Sequence, residues 1–217
     1  MNNLAVIFDM DGLMLDTETL AREAWFNTMC EFGIDLTDAV YLQVLGTTAV
    51  RTRQIFQAAF GDDIPIDAMY NHKQRHIDHA IAQGRIAAMP GLIALLDYLD
   101  AHHIPKAVGS STSRALVLKK MSVAGVRDRF EVIVGGDEVQ HGKPAPDIFL
   151  RCAGLLHMPP GQCVVLEDSD NGVRAAHAAG MRCIMVPSLK PPADDVLPLV
   201  NAVVGSLSEA MAVIDKL

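Results

Sequence analysis

The sequence predicts an α/β fold, a doubly wound parallel sheet with an α-helical cap domain inserted after its first strand, on three observations. From Leu92 onward, short apolar runs rich in β-branched residues alternate with helical patterns, as in a parallel sheet covered on both faces. The opening run, Leu4 to Phe8, has the same apolar character and belongs to that sheet. Between the two, residues 17–86 show helical periodicity and no convincing strand. The expected division is a Rossmann-like core of residues 1–16 and 87–217 and a helical cap of residues 17–86.

The cap begins with a helix in which Leu20, Ala21, Ala24, Trp25, Thr28, Met29 and Phe32 recur at three- and four-residue spacing, one buried face. Further helices are expected over Asp38–Leu45, Ala49–Phe60 and Asp67–Gln83, broken at Gly46, at Gly61 to Pro65 and at Gly84. The core then resumes with helix Leu92–His102, strand Lys106–Gly109, helix Ser113–Val123, strand Glu131–Val134 and helix Asp147–Leu155. It closes with strand Cys163–Leu166, helix Asn171–Ala179, strands Arg182–Val186 and Ala202–Val204, and helix Ser208–Asp215. Gly180 serves as a helix stop and Ser208 as a helix start. Residues 187–198 form the one Pro-rich loop, and no internal repeat is visible.

Composition narrows the function. With 217 residues and 50% hydrophobic content the chain has enough apolar material for a real core. A net charge of -8 argues against nucleic acid as a partner, because its phosphates would meet the wrong sign over most of the surface. No apolar stretch approaches the roughly 20 residues that span a bilayer, and no secretion signal stands at the start, so a cytoplasmic location without membrane association is expected. Cys30, Cys152, Cys163 and Cys183 lack CxxC spacing and read as reduced thiols. A monomer is expected, since the elements already cover the sheet.

Four polar signals each fall where an expected strand ends, and in an open α/β sheet those ends share one ligand crevice. In Phe8-Asp9-Met10-Asp11-Gly12 the period of two turns Asp9 and Asp11 toward one side, a pair able to divide nucleophilic and acid/base work. Val108-Gly109-Ser110-Ser111-Thr112-Ser113 offers hydroxyls and a helix start, an anion site or a plain N-cap. Gly142-Lys143-Pro144 presents a point positive charge on a stiffened loop. Leu166-Glu167-Asp168-Ser169 places two hard oxygen ligands behind an apolar strand, suited to Mg²⁺.

In this order, Asp-x-Asp, Ser, Lys and Glu-Asp, the sequence resembles the haloacid dehalogenase-like superfamily over nearly its whole length. The stretch FDMDGLMLDTE, Phe8 to Glu18, is similar to the branch of sugar-phosphate phosphatases and β-phosphoglucomutases. The resemblance implies an Mg²⁺-dependent phosphatase acting on a small phosphorylated metabolite. It makes Asp9 the nucleophile, Asp11 the general acid/base, and Ser110, Ser111 and Lys143 the phosphate holders. Asp9, Asp11 and Asp168, assisted by Glu167, are the implied metal ligands.

Two positions depart from the mutase branch, whose characteristic His and Arg are matched here by Ala21 and by Ala49 after Gly46-Thr47-Thr48, with Arg51 and Arg53 nearby. The departures favour release of phosphate to water; mutase transfer between sugar hydroxyls is the alternative, and a non-catalytic phosphate-sensing module the second. A Walker loop does not fit Gly136 to Lys143, because the spacing is one residue too long and Pro144 replaces Ser/Thr. His72, His76 and His79 share a helical face and read as solvated rather than metal-binding.

Overall fold

The computed structural model describes residues 4–45, 47, 49–188 and 191–217. The expected helix break at Gly46, together with Thr48 and positions 189 and 190 of the Pro-rich loop, lies outside the described residues. Six strands are found among the described residues: β1 (Ala5–Phe8), β2 (Lys106–Gly109), β3 (Val132–Val134), β4 (Cys163–Glu167), β5 (Arg182–Met185) and β6 (Ala202–Val203). Every residue of β1 and β4 is buried, which is why both read as unbroken apolar runs instead of alternating ones.

All neighbouring strands pair in parallel, in the order β3-β2-β1-β4-β5-β6. The chain winds outward from β1 through β2 and β3, then returns to the other side of β1 for β4, β5 and β6. That reversal creates a crevice outside the carboxyl ends of β1, β2 and β4. Register aligns those ends, since Phe8 lies opposite Val108 on one side and Leu166 on the other.

Nine helices are described: α1 (Thr17–Glu31), α2 (Asp38–Val44), α3 (Ala49–Phe60), α4 (Ile66–Ala82), α5 (Leu92–Ala101), α6 (Arg114–Val123), α7 (Asp147–Leu155), α8 (Asp170–Ala178) and α9 (Leu207–Ile214). The chain divides into two compact units, Met1–Asp16 with Ile86–Leu217, and Thr17–Arg85. In the first, Phe149, Cys152, Val173 and Ala176 of α7 and α8 pack on Ile7, Val165 and Cys183 of the sheet. In the second, Trp25 meets Phe56 and Tyr70 edge-on, each with ring centroids 5.0 Å apart, around a core that includes Met29 and Met69.

Element boundaries move by a residue or two from the sequence expectation, and caps account for two of the shifts. The helix expected from Asn171 starts at Asp170, because Ser169 Oγ accepts from the Gly172 N–H at 3.1 Å. The last helix begins at Leu207, not Ser208, because Ser206 is the residue that caps it, accepting from the Glu209 N–H at 3.3 Å. β4 runs on through Glu167, whose carbonyl accepts from the Val186 N–H at 2.7 Å.

Candidate active site

Asp9 is the first residue beyond β1, and its N–H donates to the Leu166 carbonyl at 3.0 Å, so it remains tied to β4. The chain then turns at once: Gly12 takes a φ of 83°, a conformation costly for any residue with a Cβ, and its N–H donates to the Leu15 carbonyl. Asp9 is 7% exposed. Burial pushes its carboxyl up to about 7; the Lys143 ammonium opposes this, while Glu167 and Asp11 add to it.

Lys143 joins two strand ends. Its Nζ donates to Asp9 Oδ1 and to Glu167 Oε1, the latter at 2.5 Å, and lies 4.8 Å from the Phe149 ring centroid. Burial alone would lower its pKa, but Asp9 and Glu167 together hold it above the ordinary lysine range. Glu167 is fully buried, and its second oxygen accepts from the N–H groups of Asp168 and Ser169, both at 3.0 Å, and from Ser169 Oγ at 2.9 Å. Both of its oxygens are thus committed. In this arrangement the Glu167 carboxylate anchors Lys143 and the turn after β4. The close approach of α8 explains Gly172, where an added Cβ would fall 1.8 Å from the Glu167 carboxylate.

Ser110, the residue after β2, is 1% exposed, and its N–H donates to the Val134 carbonyl at 3.1 Å. Its Oγ reaches Asp11 Oδ2 at 3.4 Å and accepts from the Thr112 N–H at 3.2 Å. Ser111, the other expected phosphate holder, is exposed on the same turn. Simple N-capping does not explain this motif, because Ser113 makes no side-chain cap bond and the Arg114 N–H is taken by Asp137 Oδ1 at 2.7 Å.

Two residues here escaped sequence reasoning. Thr112 Oγ1 donates to Asp11 Oδ2 at 2.7 Å, and Lys120 Nζ donates to Asp11 Oδ1 at 2.6 Å. Thr112 lay within a motif already singled out for its hydroxyls. Lys120 carried one signal, its i+3 spacing from Val117 on the inward face of α6, but Lys119-Lys120 reads first as a solvated pair. Asp168 follows β4 directly and is partly buried.

Among the described residues, no group of three or more His, Cys, Asp and Glu side chains forms a ready cage for a metal ion. In the helical unit, His72 Nδ1 and His76 Nε2 meet separate oxygens of Glu31 at 2.9 and 3.0 Å, and His79 lies 2.8 Å from Gln83 Nε2. Arg53 pairs with Asp67, and Arg51 donates to Gln54. No described helix is long and apolar enough to cross a membrane.

Residues 6–186 match the haloacid dehalogenase-like hydrolase family. The chain is 34% identical over 191 residues to the fructose-1-phosphate phosphatase YqaB of Escherichia coli, covering 83% of this chain and 95% of that one. It is 34% identical over 185 residues to a bifunctional riboflavin kinase/FMN phosphatase of Arabidopsis thaliana, covering 85% of this chain but 48% of that longer protein. The crystal structure of CbbY from Rhodobacter sphaeroides in complex with phosphate is similar, with a TM-score of 0.74, 32% identity, and coverage of 94% and 95% of the two chains. With a family match over most of its length and relatives above 30% identity, this chain belongs to the haloacid dehalogenase-like hydrolases.

Proposed function

We propose that this hydrolase is a phosphoric monoester hydrolase that releases phosphate from small phosphorylated metabolites, with sugar phosphates the favoured class, through a phosphoryl group carried on Asp9. The observation that carries the reading is the placement of Asp9, buried at the switch point of the sheet and held at Oδ1 by Lys143. One such contact fixes the direction of the carboxylate and leaves Oδ2 to attack phosphorus. Relatives named as phosphatases support the release of phosphate from a small phosphorylated metabolite.

Asp9 Oδ2 bonds to phosphorus as the bond from phosphorus to the ester oxygen breaks, and Asp11 gives its proton to the departing alcohol oxygen. Asp11, now a carboxylate, takes a proton from a water that attacks the same phosphorus. The bond to Asp9 then breaks, releasing phosphate and restoring both carboxyl groups. Lys143 and the Ser110 turn balance the charge on the equatorial oxygens, and the buried Lys143 holds its geometry throughout.

The donor set suits Mg²⁺, which binds through one or two carboxylates, waters and substrate phosphate and needs no cage of protein side chains. Asp9, Asp168 and the Asp11 carbonyl would hold it, with Glu167 assisting by anchoring Lys143 and the turn that carries Asp168. When bound, the ion supplies positive charge between the nucleophile and the phosphate it approaches. Residues 1–16 and 87–217 form the catalytic core in this reading, and residues 17–86 form a cap that selects the substrate.

Purified protein with Mg²⁺, offered a panel of hexose, pentose and polyol phosphates, phosphoglycolate and nucleoside monophosphates, should release inorganic phosphate from at least one. Silence across the panel refutes the reading. Conversion of β-glucose 1-phosphate to glucose 6-phosphate as main product would make it a mutase.

A further inference from the structure

Lys120 is the charged group of the site that the chemistry above does not use. Its position is unusual for a lysine. The inward face of α6 consists of Val117, Lys120 and Met121, and Lys120 is only 8% exposed, whereas its neighbour Lys119 is exposed. A buried ammonium loses hydration and is retained only when paired. Here the partner is Asp11 Oδ1, at 2.6 Å, while Thr112 Oγ1 reaches the other oxygen of the same carboxyl at 2.7 Å.

The terminal torsion of an aspartate is broad when nothing holds it. Gripped at both oxygens from α6 and from the turn before it, the Asp11 carboxyl has one orientation. Proton delivery to a leaving oxygen is sensitive to that orientation, and a misplacement of about 1 Å costs on the order of 10²-fold in rate.

We propose that Lys120, assisted by Thr112, is the positioning residue of Asp11 and acts on the reaction only through it. The inference rests on the assignment of Asp11 as general acid/base. Lys120 exchanges no proton: the proton passes from Asp11 to the alcohol and returns to Asp11 from water.

The test compares wild type, Lys120→Met, Asp11→Asn and the double variant on p-nitrophenyl phosphate and on an alkyl monophosphate the wild type hydrolyses. A nitrophenolate departs without a proton and an alkoxide does not, and kcat/KM covers the steps through departure of the leaving group. Lys120→Met should lower kcat/KM for the alkyl ester by about 10²-fold and leave that for the aryl ester nearly unchanged. In the Asp11→Asn background the same substitution should cost nothing further. Thr112→Val should repeat the pattern more weakly, which covers the case of poor folding by Lys120→Met. Equal losses on both esters, or full additivity with Asp11→Asn, overturn the inference while leaving the phosphatase reading intact. A wild type inert on every monoester overturns both.

Discussion

Lys143 Nζ lies 2.5 Å from Glu167 Oε1 and donates as well to Asp9, so that one buried ammonium ties together the ends of β1 and β4. Its side chain is 6% exposed, and those of its two partners 9% and 0%. Removing the cation strands two carboxylates in a poorly hydrated place. Lys143→Met is therefore expected to abolish phosphate release and to lower unfolding free energy by about 3–5 kcal/mol, measured by urea denaturation. A variant as stable as wild type would show that the ammonium does not hold the two strand ends.

Asp9→Asn tests the nucleophile. The amide is close to isosteric and still accepts a hydrogen bond through its oxygen, so the fold should persist. Turnover should fall by about 10⁴-fold or more, on the scale of losing a covalent nucleophile. Unchanged circular dichroism with phosphate release near the wild-type rate would remove Asp9 from the mechanism.

Gly172 and Gly154 make a matched pair. Both lie in helices, but a Cβ at Gly172 would strike the Glu167 carboxylate at 1.8 Å, whereas nothing lies within 4 Å of one at Gly154. Gly172→Ala should destabilise by about 1–3 kcal/mol and displace the anchor of Lys143, reducing activity. Gly154→Ala should instead stabilise by up to about 1 kcal/mol, as alanine replaces glycine in a helix. Thermal melts of the two variants, with activity at 25 °C (~298 K), check both signs.

Chelation should silence the enzyme, and added Mg²⁺ should restore it. Asp168→Asn is expected to raise the Mg²⁺ concentration needed for half-maximal activity, because one of the proposed carboxylate ligands would become a neutral amide. An unchanged metal requirement in that variant would move the ligand elsewhere.

Glu31 links pH to the stability of the helical unit. The hydrogen bond from His72 holds its carboxyl below its ordinary value of 4.5; slight burial opposes this, and His76 adds to the lowering. Since the folded value is the lower one, the stabilisation is present above the unfolded pKa and fades as pH falls through the folded value. The difference in Tm between wild type and Glu31→Gln should be present above about pH 4.5 and shrink as pH falls below it. A gap that widens in acid would contradict the sign.

Asp9, Asp11, Ser110 and Lys143 were legible because a linear pattern marks each of them: a polar residue directly after a buried apolar run, or a lysine on a proline-stiffened loop. A parallel sheet brings such endings to one edge, so finding the strands largely finds the crevice. The same logic made the helical character of residues 17–86 readable, since three- and four-residue spacing of Leu20, Ala24, Thr28 and their neighbours needs no knowledge of what packs on them.

What no local pattern could decide is which partner a charged side chain meets. Glu167 reads as a metal ligand from its place beside Asp168; only the approach of Lys143 from a distant loop, and of α8 through Gly172, gives both its oxygens to protein donors. Lys120 likewise reads as a surface lysine until α6 packs with that face toward Asp11. Chain order and hydrophobic period are properties of neighbouring residues and survive in one dimension. Desolvation and ion pairing depend on groups 24 to 134 positions apart, and only packing brings those together.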